Sequence, residues 1–309
     1  MSSLSRLWSK LPTISEKMYR RLALWNLIGL GLLIVSGGAV RLTASGLGCP
    51  QWPSCGQSNF VGELSTHKEI EFGNRILSTV VSIFIALTVI AAFRLAPKRD
   101  DLKRGALAVL AGILLQIIMG GLVVKYHLWP PLVMLHFLLS ELLVGVGMYL
   151  HWRIDNPLGF SNPMVGRKFI VLVRGLIIST GILMLLGTAT SGAGPHGGSR
   201  GSKRLPVSFR GISEAHATFA AYLIGLIVAT LFACWIGNVA LPVIKRAKLL
   251  LGMALLQAAI GYSQYFLKDP ASIVIFHLVG ATLLLIFVLN LYFGLFSNRN
   301  PQDQDLSRY

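Results

Sequence analysis

Charged residues are scarce in this chain of 309 residues. Asp, Glu, Lys and Arg make up 13% of it, whereas 54% is hydrophobic. Soluble globular proteins carry about 25% charged residues, so the composition excludes that class. Acidic residues are the scarcer of the two charged kinds. The chain has 12 Asp and Glu but 28 Lys and Arg, which gives a net charge of +16.

Motifs of several common enzyme classes are also missing. The sequence contains no P-loop and no HExxH. A CxxCH motif for covalent haem attachment is absent too. The first two absences exclude the P-loop nucleotide-binding and zincin classes that such motifs mark.

Long apolar runs recur instead, each of about 20 residues and therefore able to cross a hydrocarbon core of ~30 Å. The first run lacks a small-residue cleavage site, so we expect an anchor rather than a removed signal peptide. The sequence predicts an all-α integral membrane protein. Its eight transmembrane helices are expected at 22–41, 72–95, 104–125, 132–152, 169–190, 212–236, 247–266 and 272–296.

The positive charge follows the pattern of a membrane protein rather than that of a nucleic-acid-binding protein. Roughly two thirds of the Lys and Arg fall in segments that are cytoplasmic if the N-terminus is inside, as the positive-inside rule requires. We therefore predict a multi-pass protein of the cell membrane with both termini in the cytoplasm. No nucleic-acid partner is expected, and the connection 37–75 is placed outside.

An internal repeat relates the two halves of the chain. Gln-x-x-x-Gly occurs at 116–120 and again at 257–261, and an apolar run contains His136 and again His277. Both pairs are separated by the same shift of 141 residues (277 minus 136). The shared shift predicts two pseudo-symmetric four-helix bundles in parallel orientation, as in membrane proteins built from parallel repeats.

The repeat defines the expected domain organisation. A basic cytoplasmic segment at 1–21 precedes an N-terminal four-helix bundle at 22–152. An inner linker at 153–168 joins it to a C-terminal four-helix bundle at 169–296. A cytoplasmic tail follows at 297–309.

Three histidines lie in apolar runs, near the predicted outer ends. A histidine within a span is costly without a partner and is a functional candidate, although a helix–helix hydrogen bond is the alternative. His216 and His277, on facing helices, are what a bis-imidazole haem site requires. In the other half, Asn74 stands opposite His136, and an amide is a poor ligand for haem iron. That half is predicted to be more open, with His136 as its single firm ligand.

The remaining histidines are weaker candidates for haem ligands. His67 and His127 lie in predicted loops and are alternatives for the missing ligand. His151 is expected to be interfacial, and His196 lies in a Gly-rich outer loop where it could be solvated.

Charged residues cluster where the first two runs meet the outer connection. Glu71, Asn74 and Arg75 are spaced three and four apart, so they share a helix face. Glu71 is either a helix cap or an acid or base near a substrate. Arg41 and Arg75 are candidates for haem propionate contacts, with lipid headgroups as the alternative. Glu141 is expected to hydrogen-bond a neighbouring span.

The cysteines leave more than one interpretation. Cys49 and Cys55, in a compartment where disulfides persist, favour a disulfide or a redox-active dithiol over a metal site because no second pair accompanies them. Cys234 is expected to be a small packing residue.

Two stretches carry a family resemblance. They are GGAVRLTASGLGCPQWPSC at 37–55 and EIEFGNR at 69–75. With the single histidines near the span ends, they resemble the haem A synthase family over nearly the whole chain. The GPHGG loop at 194–198 and Asn74 are most similar to actinobacterial members. The resemblance implies an oxidoreductase that converts the C8 methyl of haem O to the formyl group of haem A, with water as the oxygen source, for terminal oxidases.

The resemblance also implies residue roles. His216 and His277 match the axial ligands of a bound haem b, and His136 matches a histidine of the substrate haem site. Glu71 matches the essential glutamate, which would act on the water or stabilise a cationic intermediate.

Two departures from the family pattern stand out. Asn74-Arg75 replaces the usual His-Arg of the second span, which puts bis-histidine ligation of the substrate haem in doubt. His216-Ala217 replaces the usual His-Arg of the sixth span and removes one propionate partner.

The resemblance further implies that Cys49 and Cys55 form a disulfide. The expected partners are haem O, membrane lipid, a haem O synthase and terminal oxidase assembly factors, with a homo-oligomer left open. Two other function classes stay open as well: a membrane b-type cytochrome that carries electrons, and a haem transporter.

Overall fold

A computed structural model describes residues 12–49, 51–55 and 65–296. Within these ranges the chain is all-helical and contains no β-strand, as expected. A short 3₁₀ turn, Gly159–Ser161, separates the two groups of four helices. The helices are α1 (Glu16–Leu42), α2 (Thr66–Arg94), α3 (Asp100–Lys125), α4 (Pro130–Asp155), α5 (Arg167–Ala193), α6 (Phe209–Ile236), α7 (Leu241–Phe266) and α8 (Ala271–Phe293).

Seven of these helices are long and apolar enough to cross a membrane, judged over the described part of the chain. The exception is α7, whose first turns carry Lys245, Arg246 and Lys248. The fold is therefore that of a multi-pass membrane protein with seven candidate spans among eight helices.

The helices begin earlier than their apolar runs. Ser15 caps α1 by accepting a backbone N–H, so the helix starts at Glu16. Residues 16–21 of the predicted segment 1–21 are therefore the first turns of α1. Likewise α2 starts at Thr66, well before its apolar run. A count of apolar residues does not detect polar first turns. Both helices therefore begin before the starts that the apolar runs predict. The predicted tail at 297–309 lies outside the described residues.

Buried apolar side chains form two clusters. One lies among α1–α4 around Ile85 and Leu102, and the other among α5–α8 around Leu176 and Ile227. Contacts between the two groups run from α1 to α8, from α4 to α8 and from α4 to α5. These helices thus hold the two clusters against each other.

A charged network ties α1, α3 and α4 at one end of the molecule. Asp101 accepts hydrogen bonds from Arg99, at 2.9 Å, and from Arg153, at 2.7 Å. Arg99 also donates to the backbone carbonyl of Arg153, at 2.8 Å, and pairs with Glu16 at 3.3 Å. We call this end the Arg99 end, and the opposite end, where α1 ends and α2 begins, the histidine end.

Candidate functional site

A cavity of about 1330 Å³ lies toward the histidine end and is lined by residues of all eight helices. Pockets for a drug-sized ligand typically measure about 300–1000 Å³, so this cavity has room for more than one such group. Four of the seven histidines line it: His136, His196, His216 and His277.

His216 on α6 and His277 on α8 face each other across the α5–α8 part of the cavity. Their ring centroids are 6.2 Å apart and the ring planes are inclined by 78°. The predicted pair is therefore brought together.

Two glycines make room for these imidazoles. A Cβ added at Gly187 on α5 would stand 3.1 Å from Cε1 of His216, and one at Gly261 on α7 would stand 3.1 Å from Cε1 of His277. Both rings thus lie directly on a helix backbone. The sequence repeat includes Gly261, but it did not show that this glycine makes room for His277. Gly187 was not identified from the sequence.

His136 occupies the corresponding place on α4. A Cβ at Gly120 would stand 3.7 Å from its Cε1, and its backbone carbonyl accepts from Gln116 at 3.2 Å and Ser140 at 2.8 Å. The buried Nδ1 atoms of His136 and His277 have no hydrogen-bond partner in the described structure. Unpartnered buried polar atoms are uncommon, so these imidazoles are free for a ligand that the chain itself does not supply.

Glu71 on α2 is 4% exposed and lines the cavity. Its Oε2 accepts the backbone N–H of Cys49 at 2.8 Å, and its Oε1 pairs with Arg75 at 2.5 Å. The capping alternative for Glu71 is wrong, because Ser65 is the N-cap residue and Glu71 lies beyond the first turn. The i, i+4 spacing correctly predicted that Glu71 and Arg75 share a face.

Arg75 fixes the described part of the α1–α2 connection, residues 51–55, to α2. Its Nη1 donates to three backbone carbonyls, those of Gln51 at 2.9 Å, Pro53 at 3.0 Å and Ser54 at 2.9 Å. This loop therefore covers the cavity from a position set by one guanidinium group.

Cys49 and Cys55 are joined by a disulfide bond, which confirms that interpretation over the dithiol and the metal site. The described residues also contain no group of three or more His, Cys, Asp or Glu side chains that could hold a metal ion. Cys234 is buried and free, as expected of a packing residue.

Arg41 lies at the end of α1 and lines the cavity. Its Nε donates to the backbone carbonyl of His196 at 2.8 Å and its Nη2 to that of Ser191 at 2.7 Å. A further backbone bond joins Gly46 N–H to the carbonyl of Gly198 at 2.8 Å. The α5–α6 connection is thus held against the first half.

Asn74 also lines the cavity, and Ser36 on α1 donates to its Oδ1 at 2.8 Å. The contact with Ser36 could not be read from the sequence, since it depends on how α1 and α2 pack.

Glu141 on α4 is 2% exposed and accepts a hydrogen bond from Thr282 on α8, at 2.6 Å. The expected bond to a neighbouring span is therefore confirmed, and it crosses between the two groups of helices. Glu141 does not line the cavity.

The other histidines lie apart from the paired rings. His67, His127 and His151 are absent from the cavity lining. Nδ1 of His67 is 2.9 Å from the Ser45 hydroxyl. His196 lines the cavity, and its Nε2 is 2.7 Å from the backbone carbonyl of Asp269.

The fold and the site define a class: a multi-helix membrane protein whose inner cavity is lined by histidines from facing helices. A family model described as "COX15-CtaA: Cytochrome oxidase assembly protein" matches residues 20–195. The match covers more than half of the chain, and the chain belongs to this family, that of the haem A synthases. The matched region ends before α6, so it includes His136 but not His216 or His277.

Curated relatives named heme A synthase are similar in sequence. That of Geobacillus thermodenitrificans is 30% identical over 119 residues, 38% of this chain and 37% of the relative. That of Lysinibacillus sphaericus is 25% identical over 167 residues, 51% of this chain and 54% of the relative. A Listeria monocytogenes protein is 26% identical over 178 residues, 55% and 58% of the two chains. The chain thus spans between about a third and three fifths of the length of these relatives.

Proposed function

We propose that this protein is a membrane-bound haem A synthase that oxidises the C8 methyl of haem O to a formyl group, with water as the oxygen source. The observation that carries the proposal is a single cavity with a pair of imidazoles in one half and a lone imidazole in the other. Family membership supports the same conclusion. The proposed partners are haem O, the enzyme that supplies it, and the factors that assemble terminal oxidases.

The imidazole pair fits a resident haem b. Metal–imidazole bonds of about 2 Å on opposite sides of one iron leave the ring centres about 6 Å apart, and the centroids of His216 and His277 are 6.2 Å apart. Gly187 and Gly261 leave each ring the space it occupies. A haem held there supplies one-electron transfer.

The lone imidazole, His136, is proposed to bind the iron of the substrate, haem O. Arg41 is proposed to meet a propionate, because it lines the cavity, binds only neutral carbonyls and forms no ion pair among the described residues. A buried cation without a counter-charge is costly, and an anionic group offsets that cost. Arg75 is a second candidate, although Glu71 already balances its charge.

Glu71 is proposed to act on water at the methyl group. Each carboxylate oxygen can accept more than one hydrogen bond, so both retain a lone pair beside their bonds to Cys49 and Arg75. The carboxylate can thus orient a water molecule and accept its proton. Two successive oxidations convert the methyl to an alcohol and then to a geminal diol, which loses water to give the formyl group. Each oxidation adds one water oxygen to the carbon, releases two protons and passes two electrons to an electron acceptor that is not part of the chain.

The proposed topology places all eight helices across the membrane. The three basic residues of α7 lie in its first turns and can reach the interface by snorkelling, which leaves the rest of that helix apolar. The histidine end is then extracytoplasmic and both termini are cytoplasmic. The proposed bundles are 22–152 and 169–296.

A pseudo-two-fold axis between these bundles is supported by one contact. Glu141 hydrogen-bonds Thr282, and these positions are separated by 141 residues, the shift that also relates His136 to His277. A residue that touches its own equivalent lies beside the axis.

Haem analysis tests the proposed function. The protein is produced in cells that make haem O but no haem A, and extracted haems are separated chromatographically. Haem A should appear only when the protein is present. Unchanged haem O with a new b-type spectrum would indicate an electron carrier instead, and a change in haem distribution alone would indicate a transporter.

Glycine substitutions test the proposed haem b site. In Gly187→Ala and Gly261→Ala the new Cβ stands 3.1 Å from an imidazole carbon, so the ring must move away from its position. We expect haem affinity in this half to fall by roughly 10-fold, the lower end for changes around metal ligands. Reconstitution of apoprotein with haem, followed by its absorbance, measures the affinity.

The same helices offer matched controls. A Cβ at Gly181 on α5 or at Gly252 on α7 meets nothing within 4 Å. Gly181→Ala and Gly252→Ala should therefore bind haem as the unaltered protein does. Equal losses in all four variants would contradict the proposed role of the two glycines.

A further inference from the structure

The half that contains His136 offers its haem only one ligand. Haem iron in proteins is held by His, Cys, Met or Tyr side chains. The described residues of α1, α2 and α3 that line the cavity include none of these four types. The same is true of the lining residues in the disulfide loop, the segment between Cys49 and Cys55. Met134 lines the cavity but lies on α4, two residues from His136, so it cannot approach the iron from the opposite side.

The two histidines that were expected in loops, His67 and His127, do not fill the gap, and His67 lies in the first turn of α2 rather than in a loop. His67 does not line the cavity, and its Nδ1 contacts the Ser45 hydroxyl at 2.9 Å. His127 lies in the turn after α3 with φ of 51° and is also absent from the lining. His196 lines the cavity, but its Nε2 lies against the backbone carbonyl of Asp269.

Glu71 is not available either. One of its oxygens accepts the N–H of Cys49 and the other pairs with Arg75. Moving it onto an iron would leave that guanidinium group without its counter-charge and would release the disulfide loop.

Asn74 stands where a second ligand would be expected. The repeat shift carries position 74 to 215, next to His216, whose ring faces His277. Ser36 donates to Oδ1 of Asn74 at 2.8 Å, so the amide is held by this hydrogen bond, and an amide oxygen is not among the side-chain atoms that hold haem iron in proteins. The Nδ2 group is a donor only and suits a small molecule with an acceptor atom.

We propose that haem in the His136 half is five-coordinate, and that its open face takes a small exogenous ligand, such as water or cyanide, beside the Nδ2 group of Asn74. This inference rests on the proposed function, because it requires haem in that half. It goes beyond it by assigning the coordination of each haem: the His136 half is open, and the His216–His277 half is closed.

Spectroscopy of the unaltered holoprotein tests the inference without an activity assay. Electron paramagnetic resonance and absorbance should reveal one high-spin and one low-spin haem per chain. Titration with cyanide should convert the high-spin haem to low spin and leave the other unchanged. Two low-spin haems, both inert to cyanide, would overturn the inference while leaving the proposed function intact.

The variant Asn74→His extends the test. It places an imidazole on the open side, so the high-spin signal and the cyanide response should both be lost. Asn74→Leu, which offers no ligand, should retain both. His67→Ala and His127→Ala should also leave the spectrum unchanged, and conversion of the spectrum in either would overturn the inference by identifying a second ligand.

Haem stoichiometry distinguishes a failure of the proposed function from a failure of the inference about coordination. If the chain binds a single haem and His136→Ala does not alter its amount, the substrate site is absent and the proposed function fails together with the inference. If His136→Ala removes one haem that was low-spin, only the inference fails.

Discussion

Glu71→Gln should abolish haem A formation while the His216–His277 haem remains in place. Glutamine keeps the volume and one acceptor oxygen but has no charge, so it cannot accept a proton from water. It also turns an NH₂ group toward either the Cys49 N–H or the Arg75 guanidinium, and both of these are donors. Loss of a positioned acid or base typically costs about 10²–10⁴-fold in rate, so haem O should accumulate. The ratio of haem A to haem O in extracts measures the effect.

The disulfide loop provides the control for this substitution. Glu71 both lines the cavity and holds the Cys49 backbone, so its loss could act through the loop alone. In the double variant Cys49→Ala, Cys55→Ala the loop loses its covalent link while the carboxylate stays. If Glu71 acts on water, this variant should retain much more haem A output than Glu71→Gln. Equal losses would assign Glu71 an anchoring role only, and normal output from Glu71→Gln would exclude both roles.

The existence of the helices could be predicted from the sequence, but their ends could not. A run of apolar residues marks the part of a helix that lies in hydrocarbon, and all eight runs are helical. The first turns of α1 and α2 are polar, and the Ser15 side chain caps the first turn of α1. Glu71 therefore looked like a cap from its position before an apolar run, although α2 starts at Thr66.

The candidate site was predictable where residue types carry the signal. An imidazole in an apolar run is costly enough to be recognised, and the constant shift between His136 and His277 linked the two halves. The contacts made through backbone groups were not predictable. Arg75 holds the carbonyls of Gln51, Pro53 and Ser54, and Arg41 holds two more. A carbonyl is present at every position, so the sequence does not show which ones an arginine will reach.

These backbone contacts indicate how the two arginines differ. Arg75 has Glu71 as a counter-charge. Its Nη1 group donates to three backbone carbonyls of the α1–α2 connection. Arg41 has no counter-charge among the described residues, and it donates to one carbonyl in the last turn of α5 and to one in the α5–α6 connection. Of the pair, Arg41 is therefore the one whose charge an anionic ligand would balance.

His277→Ala should remove the haem of the C-terminal pair and leave haem binding at His136 intact. The centroid of the remaining imidazole, His216, lies 6.2 Å from that of His277, so only one of the two residues that would hold the haem remains. The low-spin spectrum should disappear, haem content should fall by one haem per chain, and haem A output should fall with it because electrons no longer have a carrier in that half.

Imidazole rescue separates ligation from folding in this variant. Removal of the His277 ring leaves an imidazole-shaped space next to Gly261. Free imidazole added during reconstitution should occupy this space and restore the low-spin spectrum. His151→Ala, on α4 and outside the cavity lining, should need no rescue. If His277→Ala keeps the full low-spin spectrum without imidazole, the pair is not a haem site, and the electrons of the proposed reaction must leave by another route.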